Sequence, residues 1–203
     1  MTVRSPFFQL GFIYCRYWRA YAASMEIKMN WKSKYKNNRP LMNSIFTGLF
    51  YFLFCWSLEF GVATKLPFIL VMPYLPGLTF PLTTCYYKTV TNSLTFIRKI
   101  VHLTLSVLIY LGSVWLLSGE LRMGAFFVIA GFSGSFFFLI ATKYLVRKEI
   151  SDFHILGTSV LSGLAFLLPY INKSAMYLGL ALFLWTFFNG LLLNSEYKKA
   201  LCR

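Results

Sequence analysis

The sequence predicts an all-α, polytopic integral membrane protein whose six transmembrane helices form a bundle. Hydrophobic residues make up 58% of the chain and charged residues only 13%, whereas a soluble domain has about a quarter of its residues charged. About 20 helical residues cross the roughly 30 Å hydrocarbon core of a bilayer. Six apolar stretches have that length, at about 44–64, 66–87, 100–117, 123–142, 153–171 and 175–194.

The basic residues between these stretches alternate in number, and this alternation predicts the orientation. Eight Lys or Arg residues precede the first stretch, and the following connections and the tail carry one, three, one, three, one and three. Positively charged loops are retained on the inner side during insertion. Seventeen positives on one face against three on the other therefore predict that both termini lie inside. The tail, residues 195–203, is then a short basic inner segment.

Residues 1–43 differ from the rest and are predicted to form a separate basic arm. They contain eight positives and one acid, Glu26, and their longest charge-free apolar run, 6–15, is too short to cross a bilayer. Aromatic residues interleaved with arginines over 7–19 suit a helix lying in the headgroup plane. The composition also suits a mitochondrial presequence, and both interpretations stay open.

The net charge of +14 predicts a membrane surface as partner rather than nucleic acid, because most of the positives lie beside apolar segments. Anionic lipid headgroups on the inner face are the nearest partners for such residues. A cell (inner) membrane is the expected location, with the mitochondrial inner membrane or another organelle as the alternative. Protein partners in a larger membrane complex are a further expectation.

The second stretch is the least regular because it contains Pro67, Pro73, Pro76 and Pro81. A proline has no N–H and displaces the carbonyl four residues earlier, and hydrocarbon cannot satisfy the freed groups. The interruption favours either a binding or transport path at Pro73, Pro76 and Pro81 or an ordinary kink. If the segment returned to its own side, the positives would divide ten and ten. The charge count therefore favours a crossing.

Three ionisable side chains fall in the apolar stretches away from the basic connections, and each is a candidate binding or pathway residue because charge in a membrane is costly. Glu59 is expected either to reach the outer interface or to line a polar cavity. His102 and His154 lie near the inner ends of the third and fifth helices. They are expected either to be solvated or to share a polar site at the inner mouth.

Small residues predict where helices touch, since close backbone approach drives packing in lipid. The fourth helix has Gly131, Gly134 and Ser135, and the fifth has Ser159 and Gly163. These two helices are therefore expected to form a tight pair. The four cysteines show no C-x-x-C spacing and no neighbouring histidines, so neither a metal site nor a disulfide is expected.

A short part of the fourth helix resembles the rhomboid intramembrane proteases. Gly131-Phe132-Ser133-Gly134 has the G-x-S-G form of their nucleophile motif, His154 with Gly157 and Gly163 is similar to their histidine helix, and His102-Leu103 is similar to their H-L-x-x-N segment. The resemblance implies an intramembrane enzyme with Ser133 as nucleophile and His154 as its base. The chain departs from that family at Ser106, which stands in place of the asparagine, and in its consecutive serine and histidine helices.

These observations predict a transport component for a small molecule or lipid, or a non-catalytic subunit of a larger membrane complex. The interrupted second helix and Glu59 favour transport, whereas the scarcity of polar groups in the apolar stretches favours a subunit. The intramembrane enzyme is the alternative, and no cofactor is expected, since the chain has no phosphate-binding or dinucleotide-binding glycine motif.

Overall fold

The computed structural model describes residues 38–60, 74–86, 96–118, 124–146 and 149–201. Within these ranges the secondary structure is helical and contains no strand. The helices are α1 Arg39–Glu59, α2 Leu75–Thr84, α3 Phe96–Ser118, α4 Gly124–Leu145, α5 Asp152–Ala165, α6 Leu167–Ile171 and α7 Ala175–Leu201. The all-α prediction is confirmed. Most of the arm predicted over 1–43, together with Lys65, Pro67 and Pro73, lies outside the described residues.

Five described spans are long and apolar enough to cross a membrane, and they indicate an integral membrane protein. The spans are Arg39–Glu59, Phe96–Leu116, Gly124–Leu145, Asp152–Ile171 and Ala175–Lys198. The fourth of them joins α5 and α6, which meet at Phe166. Large apolar side chains also cover much of the outside of the bundle, including Phe46, Leu53 and Trp115.

The described part of the predicted second span is a short helix. Of residues 66–87, α2 covers only the ten from Leu75 to Thr84, about 15 Å at 1.5 Å per residue. Pro76 lies in the first turn of α2, where a missing N–H is tolerated, whereas Pro81 lies inside the helix. The first span also begins earlier than predicted, at Arg39 rather than 44, because Pro40 is accommodated in the first turn.

Contacts between neighbouring helices show that their directions alternate. The amide of Asn43 donates to the carbonyl of Thr83 at 2.7 Å, Tyr86 bonds His102 at 2.7 Å, and His102 bonds Thr142 at 2.9 Å. Lys143 forms an ion pair with Asp152 at 2.6 Å. The starts of α1, α3 and α5 and the ends of α2 and α4 therefore share one end of the bundle. We call it the basic end, because Arg39, Lys99 and Lys143 lie there.

The first and last described helices, α1 and α7, form the most extensive helix pair. Glycines let their backbones approach closely. A Cβ added to Gly48 would collide with Thr186 and Phe183, and one added to Gly190 would collide with Ser44. Their other ends meet where Ser174 donates to Glu59, which defines the Glu59 end of the bundle.

The pairing of the predicted fourth and fifth helices is present as α4 against α5. A Cβ on Gly131 would lie 2.6 Å from the Phe166 ring and 2.8 Å from the carbonyl oxygen of Ser162. On the other helix, a Cβ on Gly163 would lie 2.9 Å from the carbonyl oxygen of Val128. Ser159 is fully buried and donates to the carbonyl of Ile155. Gly134 faces α3 instead, with Ser113 as its neighbour.

Candidate binding cavity

A cavity of about 600 Å³ lies among the helices in the half of the bundle nearer the Glu59 end. This volume falls within the range of small-molecule sites. Residues of α1, α2, α3, α4, α6 and α7 line it, and most of them are apolar. The polar side chains in the wall are those of Ser106, Tyr110, Ser113, Tyr170, Lys173, Ser174 and Trp185. The cavity reaches the Glu59 end at Lys173 and Ser174.

One wall of the cavity is α2, through Pro76, Gly77 and Pro81. Pro81 has no N–H to donate to the carbonyl of Gly77, four residues earlier. Gly77 also packs tightly on α3, since an added Cβ would lie 2.7 Å from the Cα of Val107. Two of the three proline positions predicted as pathway residues thus line the cavity, and Pro73 lies outside the described residues.

Three aromatic rings pack together at the side of the cavity nearer the basic end. The ring centroids of Phe80 lie 5.4 Å from Phe138 and 5.1 Å from Trp185, and those of Phe138 and Trp185 are 6.0 Å apart. Phe138 and Trp185 face the cavity, and Phe80 is fully buried. We call these three residues the aromatic floor. It separates the cavity from the polar groups nearer the basic end.

Below the aromatic floor, His102 is fully buried and bonded through both ring nitrogens. The Tyr86 hydroxyl lies 2.7 Å from Nδ1, and Thr142 Oγ1 lies 2.9 Å from Nε2. Thr142 uses its only hydrogen to bond the carbonyl of Phe138 at 2.8 Å, so it must accept from Nε2–H. The Tyr86 hydroxyl reaches both Nδ1 and the carbonyl of Lys99, the latter at 3.2 Å. His102 therefore joins the segment after α2 to α3 and α4.

The two histidines predicted to share a site at the inner mouth have different surroundings. His102 is fully buried, whereas His154 is exposed on the third residue of α5 and has the Phe153 ring as its neighbour. Among the residues that the structure describes, no hydrogen bond joins them or gives them a common partner. The hydropathy of the sequence could not separate them, because each stands at the end of an apolar stretch.

The Ser133 and His154 pair implied by the rhomboid resemblance has no direct bond in the described ranges. The Ser133 hydroxyl donates to the carbonyl of Ala130, at 3.3 Å on its own helix. A serine in a helix commonly bonds the backbone of the preceding turn in this way.

Glu59 caps α7 and does not line the cavity. Its carboxylate accepts from the Ser174 hydroxyl at 2.7 Å and from the Met176 N–H at 3.1 Å. These donors stand at the N-terminus of α7, where backbone N–H groups are free and a negative charge is favourable. Glu59 is exposed at the end of α1. Its carboxylate therefore fastens α7 to α1 beside the mouth of the cavity.

The cavity-lining polar residues of α3 were not predicted from the sequence as site residues. Ser106, Tyr110 and Ser113 are spaced four and three residues apart, so they share one face of the helix. That spacing indicates a shared polar face of the helix, although it does not say whether this face points inward. Asn189 is a further buried polar residue, accepting from Ser135 at 2.9 Å and donating to the Trp185 carbonyl at 2.8 Å. It links α7 to α4.

The comparisons with known proteins give no relative for this chain. No protein-family model, no curated protein and no solved structure matches it. In the described part of the chain, His, Cys, Asp and Glu side chains form no group of three that would hold a metal ion.

Proposed function

We propose that this protein is a membrane transport component that binds a small molecule or lipid in its central cavity. The cavity of about 600 Å³ is the observation that carries the proposal. A site inside a helix bundle with apolar walls and few polar groups is the usual form of a small-molecule site. The aromatic floor closes it from the basic end, as expected for a carrier with one side closed.

The proposed topology has six crossings, with the basic end inside. Because α1 and α3 both begin at the basic end, the chain has to return there between Glu59 and Phe96. The helix α2 lies in that return and runs antiparallel to both neighbours. In this arrangement α2 is the inner half of an interrupted crossing, a feature that transporters place beside their substrate sites. The basic end is inside because of the excess of Lys and Arg there.

Two interruptions of regular helix adjoin the cavity and are the proposed points of movement. Pro81 interrupts the hydrogen bonding of α2. Phe166 ends α5 and begins α6, with its N–H bonded at 3.0 Å to the carbonyl of Gly163, three residues earlier. Helices bend at such positions. A shift of α2 or α6 would separate the rings of the floor or widen the mouth.

A second candidate function is that of a subunit in a larger membrane complex. Its supporting observation is α3, which packs on α2 and α4 and exposes its remaining face. Gly112 lies on that face, with nothing within 4 Å of an added Cβ in the described part of the chain. A small residue on an outward face allows another helix to approach closely. A partner would then cover α3.

Purification without crosslinking in a mild detergent, followed by native mass spectrometry, tests the first proposal. We expect one small molecule or lipid per chain in the wild type. Leu178→Trp fills space in the cavity and should eliminate the bound molecule, while Leu161→Trp, on the exposed face of α5, should retain it. A molecule retained in both variants would contradict binding in the cavity. A stable protein partner with no bound molecule would favour the subunit.

Cysteine labelling tests the topology. Single cysteines at Lys65 and Lys88, in a background lacking the four native cysteines, should react with an impermeant reagent from opposite sides of the membrane. The two positions bracket the proposed interrupted crossing. Labelling from the same side would make this segment re-entrant and would contradict six crossings.

A further inference from the structure

We propose that the cavity selects an uncharged, largely apolar alcohol and binds its hydroxyl group beside Gly134. The inference deepens the proposed transport function and rests on it. It follows from where each polar hydrogen atom in the cavity wall is directed.

The serine hydroxyls of the wall act as acceptors. Ser106 donates its hydrogen to the carbonyl of His102 at 2.8 Å, and Ser113 donates to the carbonyl of Ile109 at 3.0 Å. A hydroxyl has one hydrogen and two lone pairs. With their hydrogens held by the backbone, both serines offer lone pairs to the cavity. A ligand group that bonds them has to bring a hydrogen of its own.

The indole N–H of Trp185 is a donor in the same cavity. The Trp185 side chain is only 5% exposed and lines the cavity. Its N–H makes no hydrogen bond within the described ranges. A donor in an apolar cavity gains a hydrogen bond when a ligand brings an acceptor, so a ligand acceptor at this position is favoured. The Tyr110 hydroxyl also faces the cavity and bonds no described residue.

Gly134 brings this donor and one acceptor to the same place. A Cβ added to Gly134 would lie 2.8 Å from Ser113 Oγ and 4.0 Å from Trp185 Nε1. The two atoms are thus at most about 6.8 Å apart, and both lie on the same side of Gly134. One tetrahedral oxygen atom that makes two hydrogen bonds of about 2.9 Å joins atoms about 4.7 Å apart, which lies within this upper limit. A hydroxyl oxygen placed there accepts from Trp185 and donates to Ser113.

The cavity wall has too few charged side chains to bind a ligand that is ionised. Lys173, at the Glu59 end, is the one ionised side chain among the described lining residues, and it is exposed. An ion moved into a wall of apolar side chains without a counter-charge loses its hydration without compensation. A carbonyl oxygen accepts from Trp185 and gives Ser113 no hydrogen, so an alcohol matches the pair better than a ketone does.

The test compares two probes with the same apolar body, farnesol and farnesyl phosphate, in lipid nanodiscs that contain the whole chain. We expect saturable farnesol binding and at least roughly tenfold weaker binding of farnesyl phosphate, because Lys173, the one cation among the described lining residues, is exposed at the Glu59 end. Trp185→Phe and Ser113→Ala should each weaken farnesol binding roughly two- to twelvefold, the range for one hydrogen bond. Neither change should alter the binding of farnesane, the matched hydrocarbon without the hydroxyl.

The controls are Trp115→Phe and Ser133→Ala, which lie away from the cavity wall and should leave farnesol binding unchanged. Farnesol affinity that is equal in wild type, Trp185→Phe and Ser113→Ala would overturn the hydroxyl site. So would tighter binding of farnesyl phosphate, which would transfer recognition to Lys173. If Leu178→Trp still removed the copurified molecule in either case, the proposed function would stand without this inference. Absence of binding by both probes would also overturn the alcohol selectivity.

Discussion

Inside the bundle, the two halves use similar residues and differ in whether the polar side-chain atoms bond groups on other helices. Toward the basic end, His102 bonds Tyr86 and Thr142, and these bonds connect three segments of the chain. Toward the Glu59 end, Ser106 and Ser113 bond only their own helix, and the Trp185 side chain lines the cavity. The first half is a filled interior, and the second contains the proposed binding site.

The difference shows that hydroxyl and aromatic residues have no fixed role in a membrane bundle. Their role depends on whether a neighbouring helix presents a matching group at hydrogen-bond distance. Where it does, the groups contribute to stability. Where space remains instead, they contribute to selectivity for a ligand. Stability and binding should therefore respond to different substitutions.

The largest expected effect is loss of the α1–α7 pairing in the filled half. Gly190→Leu puts a branched side chain where even a Cβ collides with Ser44. We expect the free energy of unfolding to fall by about 3 kcal/mol or more, as in severe overpacking. Equilibrium unfolding in mixed micelles measures it.

Gly112→Leu is the matched control for this change, because an added Cβ there meets open space. It should leave the free energy of unfolding unchanged or slightly raised, since leucine favours helix more than glycine does. Equal losses in the two variants would contradict the close α1–α7 contact.

The next effect concerns the buried histidine. His102→Ala removes a fully buried ring and leaves Thr142 and Tyr86 without their partner. We expect a loss of about 2–4 kcal/mol in the free energy of unfolding. His154→Ala, on an exposed side chain, should change it by less than about 0.5 kcal/mol. A similar loss in both would mean that burial and the bonds to Tyr86 and Thr142 do not explain the contribution of His102.

Two serines with different hydrogen-bond partners allow the two halves to be compared directly. Ser135 donates across helices to Asn189 at 2.9 Å, whereas Ser113 bonds only its own backbone. Ser135→Ala should lower the free energy of unfolding by about 0.6–1.7 kcal/mol, the range for hydrogen bonds between membrane helices. Ser113→Ala should leave stability unchanged and weaken ligand binding. If Ser135→Ala weakened ligand binding and Ser113→Ala lowered stability, the distinction between the filled half and the half that contains the cavity would be contradicted.

The smallest effect is expected at Glu59. Glu59→Gln keeps an oxygen that accepts from Ser174 and Met176 and loses only the charge at the start of α7. Thermal stability should fall less in Glu59→Gln than in Glu59→Ala, and transport should persist in Glu59→Gln. Loss of transport at unchanged stability would instead place Glu59 on the substrate path, as the sequence allowed.

Helix length and hydropathy predicted most of the fold. Five apolar stretches reappear as spans, and the prolines of the second stretch predicted its irregularity. The α1–α7 contact was missed, although Ser44 and Gly48 stand four residues apart like the small residues of α4. That signal is weak in isolation, because spacing does not identify the partner helix.

The candidate site was mostly beyond prediction because it depends on contacts between distant positions. His102 bonds Thr142, forty residues away, and only folding distinguishes it from the exposed His154. Trp185 and Gly134 adjoin one space although they belong to different helices. Hydropathy records the average apolar character of a helix and carries no information about which face meets which neighbour.

The exposed side of α3 has a consequence for how a ligand arrives. Ser106, Tyr110 and Ser113 face the cavity, while Leu108 and Trp115 are 57% and 74% exposed on the outside. One helix, about 10 Å across, thus separates the cavity from the surrounding lipid. An apolar alcohol partitions into a bilayer with about 0.8 kcal/mol for each buried methylene, so the membrane is its reservoir. The dissociation constant for this site is therefore properly expressed as a mole fraction of ligand in lipid. Because the ligand is concentrated in the bilayer, a modest affinity suffices for high occupancy.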